Sequence, residues 1–367
     1  PMTLFIDNPA VEEILSVDDV MDALEQGHAE LGHGRAINGP KFRIMTPRDP
    51  AHIEGGTEPL HHVYTSLNGA IAKWNVTANR VDSDFIHYPE INGLRREVRL
   101  PGPPSGMFCG FVQLYDTQTA EPLAIVHDGF MQKYRVGGTA GLGTKYLAKK
   151  NSKVLGLIGS GWQQTSAIEC HCAAANFELV KIYSPTKENR DAFAAEYSKK
   201  LGIEVRAVDT AEEAVRGADV VNTATNAVDP VLRTEWLEPG MLITAIKDAT
   251  EIEFETFERA DYIVSNRNGP NWNRFAIGGT EDIPEGQSDN WGKSGDVEWD
   301  DIPLFGEVVA GLKPGRTSDD QVILFPVTGD GVQFAAVAYR LYERAKERGL
   351  GTEVDTTLWL QDAKYIP

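Results

Sequence analysis

Residues 154–164 read VLGLIGSGWQQ, and they indicate the architecture of the chain more clearly than any other segment. The apolar run 154–158 is a candidate buried strand, residues 159–161 form a tight glycine turn, and residues 162–175 can continue as a helix. The first backbone N–H groups of a helix have no partner inside the helix, so they favour an anion. The stretch therefore predicts a phosphate site at a strand–turn–helix junction.

Beyond residue 164, strand-like and helix-like segments alternate. The apolar runs are short and lie at residues 180–183, 205–208, 220–223, 241–246 and 262–264. Strands and helices at this spacing predict a parallel α/β sheet with right-handed crossovers. A G-x-G turn between the first strand and helix of such an array is typical of a Rossmann domain. The sequence therefore predicts a site for the diphosphate of a nicotinamide dinucleotide.

The diphosphate is expected to contact the turn and the first residues of the helix. These residues are Gly159, Ser160, Gly161, Trp162 and Gln163. Gln164 stands where a third small residue is usual, so the motif depends on its context of strand, helix and βα array.

The residues after the second strand bear on the choice between NAD and NADP. An enzyme that uses NAD usually has an Asp or Glu at this strand end to bind the ribose hydroxyls. Here the strand ends at Tyr183 and is followed by Ser184, Thr186, Lys187 and Arg190. Hydroxyls and cations suit a 2'-phosphate, so the sequence favours NADP over NAD. The alternative is that Lys187 and Arg190 are only the solvated face of a helix.

A later strand ends in the small residues Thr223, Ala224 and Thr225. Small hydroxyl side chains there would let the ribose and the nicotinamide approach closely. A simple turn-forming role for Thr225 is the alternative.

Bulk properties restrict the classes of partner. The chain has 367 residues, which is too long for one ordinary core and indicates two domains. Its formal net charge of −19 argues against general binding to nucleic acid or to anionic lipid. Three cysteines, no secretory leader pattern and no apolar run of about 20 residues fit a cytoplasmic protein outside the membrane.

Outside the predicted Rossmann domain, the pattern is mixed. A helix is expected at residues 17–31 and strands at 111–115 and 123–126, so the first third mixes helix with antiparallel strand. Residues 79–110 carry four prolines and a charged run, which indicates a long surface excursion that is either a lid or an insertion. Residues 268–302 are expected to be irregular, and a helix at 333–348 is expected to pack back on the first domain.

Several of these segments together resemble the ornithine cyclodeaminase/mu-crystallin family. Residues 159–163 match the family's G-x-G-x-Q turn, and residues 134–140, YRVGGTA, match its arginine-led helix before the nucleotide domain. Residues 218–225 resemble the family's fourth strand, residues 237–241 its lead into the fifth, and residues 184–189 resemble the mu-crystallin branch that uses NADPH.

The resemblance implies a Rossmann domain inserted in a mixed α/β domain that binds substrate and forms a homodimer. The Rossmann domain would span residues 151–326, and the other domain would span 2–150 and be completed by 327–367. It also implies an NAD(P)-dependent oxidoreductase that acts on the C=N bond of a small imino acid, as an imine reductase or an amino-acid dehydrogenase. A cyclodeaminase that recycles NAD, or a protein that binds NADP without catalysis, are the alternatives.

The resemblance also suggests roles for four residues. Arg43 and Arg135 look like the two arginines that bind the substrate carboxylate, for which a planar guanidinium is well suited. Lys73 looks like the active-site lysine that binds the carboxylate or carries a proton. Asp248 falls near the aspartate that exchanges the amine proton. An exposed lysine at a strand end and a plain helix N-cap are the respective alternatives for Lys73 and Asp248.

The chain departs from the family pattern at three places. Lys247 has no clear family equivalent, Val136 replaces a common threonine, and Phe334 stands where many members have an aspartate. A zinc site at residues 170–172, CHC, is not expected, because successive helix residues point about 100° apart and no second ligand pair follows.

Overall fold

The computed structural model describes residues 1–49, 60–102, 105–267, 272–281, 283–284 and 299–361, except for the side chains of Asp248, Trp272 and Trp299. The strands are β1 (Met2–Ile6), β2 (Ala36–Asn38), β3 (Lys41–Arg48), β4 (Leu60–Ile71), β5 (Val76–His87), β6 (Glu90–Ile91), β7 (Leu94–Arg95), β8 (Val98–Leu100), β9 (Cys109–Asp116), β10 (Pro122–His127), β11 (Val154–Ile158), β12 (Leu179–Tyr183), β13 (Glu204–Ala207), β14 (Val220–Thr223), β15 (Leu242–Ile246), β16 (Tyr262–Ile263), β17 (Trp272–Ala276), β18 (Ile323–Val327) and β19 (Thr352–Asp355).

The helices follow the same chain order. They are α1 (Asn8–Ile14), α2 (Val17–Gly32), α3 (Gly129–Leu147), α4 (Trp162–Ala174), α5 (Lys187–Leu201), α6 (Ala211–Val215), α7 (Glu255–Arg259), α8 (Phe305–Val309) and α9 (Gly331–Arg348). Short 3-10 turns occupy Ala72–Trp74, Thr234–Trp236, Lys247–Ala249, Trp299–Asp301 and Thr356–Trp359. In the described ranges, none of these helices combines the length and the apolar character needed to cross a bilayer.

The predicted parallel sheet is confirmed, with the order β13-β12-β11-β14-β15-β18-β16. All of its strand pairs are parallel. Because the chain runs outward from β11 to β13 and then returns to β14 on the other side, a crevice opens at the carboxyl ends of β11 and β14. Ligands of doubly wound sheets bind at this switch point.

The second sheet is mixed and contains the order β17-β3-β4-β5-β9-β10-β1-β19, with β2 beside β4 and β8 beside β5. The long helix α9 packs with α2 against β4 and β5, as the sequence predicted. Side-chain caps fix the starts of both helices, because Ser16 accepts from the amide of Asp19 and Asp330 accepts from the amide of Gln333. The division of the chain into two domains at residues 150 and 326 stays a prediction.

The predicted surface excursion at residues 79–110 is wrong in its first part. Residues up to His87 belong to β5, a long and largely buried strand between β4 and β9. The prolines and the charged run that supported the prediction all lie after β5, and the charged side chains of β5 itself face a cavity and not solvent. The remaining part carries the β6–β7 hairpin and β8. Most of the predicted irregular segment 268–302 lies outside the described residues, but β17 within it is an edge strand paired with β3.

Helix α3 connects the two sheets and packs very closely on α4. A Cβ atom added at Gly137 would lie 2.7 Å from the backbone of Ser166, and one added at Gly141 would lie 2.7 Å from the backbone of Cys170. The glycines of the segment YRVGGTAGLG therefore allow two helix backbones to approach each other directly.

Candidate active site

A cavity of about 740 Å³ lies between the mixed sheet and the carboxyl edge of the parallel sheet. One wall consists of side chains from β3, β4, β5 and β8. The opposite wall is formed where β14, β15 and β18 end, and the start of α4 closes one side. The cavity therefore coincides with the switch-point crevice in which a parallel sheet binds its ligand.

The glycine turn has the shape that a diphosphate needs. Gly159 has a φ of 101°, and a Cβ atom there would lie 2.3 Å from the carbonyl oxygen of Ala224. A Cβ atom at Gly161 would meet no atom within 4 Å, so the space above the start of α4 is open. Trp162 and Gln163, the first residues of this 13-residue helix, line the cavity. These features fit a dinucleotide diphosphate at the helix N-terminus.

Gln164, which replaces the usual third small residue, has a structural role. Its side chain is fully buried and accepts a hydrogen bond of 2.6 Å from Nδ2 of Asn222 on β14. Asn222 also accepts from the hydroxyl of Thr244 on β15 at 2.8 Å. Hydrogen bonds between these three side chains therefore join α4 to the sheet. At this position of the motif, a small residue that packs closely on the strand is more common.

The predicted 2'-phosphate residues come together at the end of β12. The Ser184 hydroxyl accepts from the Ser160 hydroxyl at 2.9 Å, which connects this group to the glycine turn. Arg190 is buried and donates to the Ser184 carbonyl at 3.0 Å and to Asp209 at 2.6 Å. Lys187 is exposed in the first turn of α5, just after Thr186, the N-cap residue. Arg190 is thus more than a solvated helix face, although Asp209 already pairs with it.

The predicted nicotinamide-binding residues lie at the end of β14. Thr223 and Ala224 are buried, and Ala224 and Thr225 line the cavity. The Thr225 hydroxyl also accepts from the amide of Ala227 at 3.0 Å, so this residue forms the turn as well as the cavity wall.

Glu251 lies behind Thr225, and the sequence reasoning missed it. Its carboxylate accepts from the Thr225 amide at 3.2 and 3.1 Å and from the Thr225 hydroxyl. Burial raises the pKa of Glu251 to about 7, because these hydrogen bonds and the charge of Lys247 offset only part of the desolvation. A buried acid with a pKa near neutrality therefore lies directly behind the cavity wall at the end of β14.

Glu251 should make the stability of the protein depend on pH. Its pKa is raised above the ordinary value of 4.5, so its contribution is fully present below that value and is lost as pH rises through about 7. Between about pH 5 and about pH 8 we expect the free energy of unfolding to fall by about 2 kcal/mol through this residue. Urea unfolding of wild type and Glu251→Gln across this range measures the difference. Parallel curves for the two proteins would refute the assignment.

The wall from the mixed sheet carries a network of buried charges. Arg80 on β5 donates to Asp82 at 2.7 Å and to Asp128 at 2.5 Å, and Arg99 on β8 donates to Asp82 and to Asp84. Burial opposes ionisation of Asp82, but the charges of Arg80 and Arg99 outweigh it and hold the pKa of Asp82 at about 2. The period-two charges of the sequence RVDSD, at residues 80–84, are the signal that could have identified this wall.

Arg43 and Arg135, the predicted carboxylate-binding arginines, line this same cavity. Arg43 lies on β3 with Glu97 at 3.5 Å. Arg135 is buried on α3, donates to Oε1 of Gln333 at 2.9 Å, and lies 4.5 Å from the centre of the Phe334 ring. Burial and the nearby charge of Arg80 lower the pKa of Arg135 to about 10, so it stays cationic at neutral pH.

Phe334, one of the departures from the family pattern, explains why Arg135 keeps its charge available. The ring makes cation–π contacts with both Arg135 and Arg80. The guanidinium carbon of Arg80 lies 5.3 Å from the ring centre. An aspartate would neutralise a guanidinium at this position, whereas a phenyl ring orients it without neutralising it. Gly329 leaves room for the guanidinium, since a Cβ atom there would lie 2.8 Å from Nη1 of Arg135.

Lys73 does not lie in the cavity with the two predicted arginines. It lies in the exposed 3-10 turn after β4 and donates to Oε1 of Gln26 on α2 at 3.1 Å. It is not among the residues that line the cavity. The alternative, an exposed lysine at a strand end, describes its position correctly. The lysines that do line the cavity are Lys41 on β3 and Lys247 after β15.

The side chain of Asp248 lies outside the described residues, and only its backbone, in the 3-10 turn Lys247–Ala249, is defined. This turn follows β15 directly. It begins at the cavity-lining residue Lys247 and ends two residues before the buried Glu251. Among the residues that the structure describes, no three His, Cys, Asp or Glu side chains are grouped as metal ligands.

Part of the segment predicted as a lid or insertion bridges the two sheets across the cavity. Arg95 donates to Asp229 at 2.6 Å, Arg96 donates to the side chain of Asn226 at 2.9 Å, and the amide of Glu97 donates to the Asn226 carbonyl at 2.8 Å. Glu97 and Arg99, from the same segment, line the cavity. This segment therefore fixes one cavity wall against the end of β14.

The fold and this site together are those of a dinucleotide-binding protein with a charged cavity beside the glycine turn. The chain belongs to the ornithine cyclodeaminase/mu-crystallin family, whose sequence profile matches residues 102–349. It is 32% identical to a Delta(1)-pyrroline-2-carboxylate reductase of Bacillus cereus over 250 residues, which are 67% of this chain and 74% of that protein.

Two solved structures share the fold over nearly the whole chain. The Delta(1)-pyrroline-2-carboxylate reductase of Thermococcus litoralis, in complex with NADH and L-proline, has a TM-score of 0.74 and 27% identity, and covers 96% of this chain and 100% of its own. An archaeal alanine dehydrogenase dimer with bound NAD has a TM-score of 0.76 and 26% identity, with coverages of 97% and 99%. The predicted family and fold class are therefore confirmed.

Proposed function

We propose that the chain is an oxidoreductase that transfers a hydride between a nicotinamide dinucleotide and the C=N bond of a small imino acid. The observation that carries this proposal is the position of Arg135 and Arg43 in the cavity onto which the dinucleotide turn opens. The relatives support it, because one is a reductase of a cyclic imino acid and another was solved with NADH and L-proline.

The protein's own residues would bind and orient the substrate. When bound, a nicotinamide dinucleotide would supply the hydride that adds to the imine carbon, while the π electrons of C=N would take up one proton at nitrogen, which yields the amine. Arg135 and Arg43 bind the carboxylate and fix the C=N bond against the wall formed by Ala224 and Thr225. Asp248 remains our candidate for the proton at nitrogen, on the basis of family resemblance.

A panel assay tests the reaction. Purified protein is given NADPH or NADH with cyclic imino acids, and separately with 2-oxo acids plus ammonia or a primary amine, and loss of the reduced cofactor is followed. We expect reduction of at least one imino acid. No oxidation with any member of the panel would contradict the proposal. Release of ammonia from a diamino acid with catalytic NAD, and no net cofactor turnover, would identify a cyclodeaminase instead.

NADP is our proposed cofactor, because Ser184, Thr186, Lys187 and Arg190 lie at the end of β12 and no carboxylate follows Tyr183 directly. Replacing Lys187 by alanine is expected to lower the ratio of kcat/KM for NADPH to that for NADH about fivefold to tenfold, the size of one exposed charge–phosphate contact. Lys199→Ala is the matched control, since Lys199 is exposed in the last turn of the same helix α5. Equal ratios for the two variants would argue against a 2'-phosphate site.

We also propose a homodimer that covers the β17–β3 edge of the mixed sheet. Ile44, Phe275 and Ile277 are 44%, 59% and 67% exposed there, and Phe275 is paired in register with Ile44. Large apolar side chains grouped on a surface are typical of an interface. The archaeal alanine dehydrogenase relative was solved as a dimer. Light scattering of the purified chain measures its mass, and a monomer would contradict this assembly.

A further inference from the structure

Lys247, the residue for which the sequence offered no family equivalent, occupies a defined place in the site. It follows β15 directly and lines the cavity at the carboxyl edge of the parallel sheet. Its backbone is left-handed, with a φ of 62°, a conformation that costs a residue other than glycine about 1 kcal/mol or more. Strained backbone of this kind is concentrated at functional sites.

The ammonium group of Lys247 is buried and has no hydrogen-bond partner among the described residues. A buried charge without a partner is strongly unfavourable, and proteins usually pair such a group with an opposite charge or a ligand. Glu97 and Glu251 are close enough to interact with it electrostatically, but neither forms an ion pair with it. The group is therefore positioned for something that enters the cavity.

The charge of the cavity wall points to an anion. Six of the lining side chains are cationic and four are carboxylates. The four carboxylates already have guanidinium partners: Arg80 and Arg99 engage Asp82, Asp84 and Asp128, and Arg43 lies beside Glu97. Among the described residues, Arg135 and Lys247 are lining cations that have no carboxylate within ion-pair distance. The lining side chains as a whole therefore carry a net positive charge.

A substrate with a single carboxylate would neutralise only one of these two cations. We propose that Lys247 binds a second carboxylate, so that the substrate of the proposed reaction is an imino acid with an acidic side chain. The inference rests on the proposed function for the reaction, and on the unpaired ammonium group for the substrate class. A substrate with a side-chain amine fits less well, because the lining carboxylates that could receive it are already paired with arginine.

Matched substrates test the proposal. With NADPH and ammonia, 2-oxoglutarate and 2-oxopentanoate form imines of equal chain length that differ only in the distal carboxylate. We expect wild type to prefer the diacid by at least tenfold in kcat/KM, the value of one charge-assisted contact. Lys247→Met should abolish the preference by lowering kcat/KM for the diacid alone, and Lys247→Arg should retain it. Both variants keep an unbranched side chain, so the backbone strain is unchanged.

A binding measurement separates failure of this inference from failure of the proposed reaction. Calorimetric titration of the NADP-loaded protein compares glutarate with pentanoate, neither of which can react. We expect glutarate to bind at least tenfold more tightly, and Lys247→Met to remove the difference. Equal binding of the two acids would overturn the role of Lys247, whether or not the protein reduces imines. An equal loss of kcat with both oxo acids in Lys247→Met, at unchanged binding, would also overturn it and assign Lys247 to proton transfer.

Discussion

Replacing Arg135 by methionine is expected to lower kcat/KM for the imino acid about a hundredfold or more. Arg135 is buried, stays cationic and has no carboxylate partner among the described residues, so the substrate carboxylate would provide its neutralising charge. Removal of one partner of a buried charge pair costs roughly 2–5 kcal/mol, and each 1.4 kcal/mol is about tenfold. Methionine keeps the apolar part of the side chain against Phe334.

Steady-state kinetics with varied imino acid and saturating cofactor measure this effect, and fluorescence titration measures cofactor binding separately. Lys73→Met is the matched control, because it removes the same charge from an exposed position outside the cavity. The control should behave as wild type, and Arg135→Met should still bind the dinucleotide. Near-normal turnover in Arg135→Met would mean that the carboxylate binds elsewhere.

Gly159→Ala is expected to weaken cofactor binding about a hundredfold or more. The new methyl group would lie 2.3 Å from the carbonyl oxygen of Ala224, and the φ of 101° is unfavourable for any residue with a side chain. The turn must move to relieve this contact, and its amides would then no longer point at the diphosphate. The dissociation constant for NADPH, measured by fluorescence or calorimetry, reports the effect.

Gly202→Ala provides the control for backbone strain. Gly202 ends α5 with a φ of 68°, and a Cβ atom there would meet nothing within 4 Å. The substitution Gly202→Ala therefore introduces the strain of a left-handed backbone without a steric clash, and it should leave the affinity for the cofactor unchanged. Similar affinities in Gly159→Ala and Gly202→Ala would show that the glycine turn does not hold the diphosphate.

The nucleotide half of the molecule could be predicted in detail because its signals are local. A strand, a glycine turn and a helix are adjacent in sequence, and the alternation of strands and helices determines the parallel sheet. The residues at the ends of β12 and β14 follow from the same topology, since the carboxyl ends of parallel strands share one edge. Gln164 shows the limit of motif matching, because its role depends on Asn222, which is 58 residues away.

The cavity wall from the mixed sheet was harder to predict because its contacts are distant in sequence. Arg80 meets Asp128 across 48 residues, and Arg135 meets Gln333 across 198 residues. Lys73 was predicted only from its resemblance to a family motif, yet β4 stops at Ile71 and the lysine lies in the exposed turn that follows. The alternation of charges in β5 was visible, but the prolines and the charged run after it led to residues 79–110 being interpreted as a surface excursion. Burial can be assigned to such residues only when both sheets are known to face them.

The close contact between α3 and α4 determines how this protein could be recombined with its relatives. Arg135 precedes the parallel sheet in sequence, but Gly137 and Gly141 attach its helix directly to the helix that starts at the dinucleotide turn. A chimera of two relatives joined at residue 150 would take α3 from one protein and α4 from the other. The contacting faces of the two helices would then come from different sequences. The transferable unit therefore begins at Gly129, and an exchange of cofactor specificity by recombination has to carry Arg135, the proposed carboxylate-binding arginine, with it.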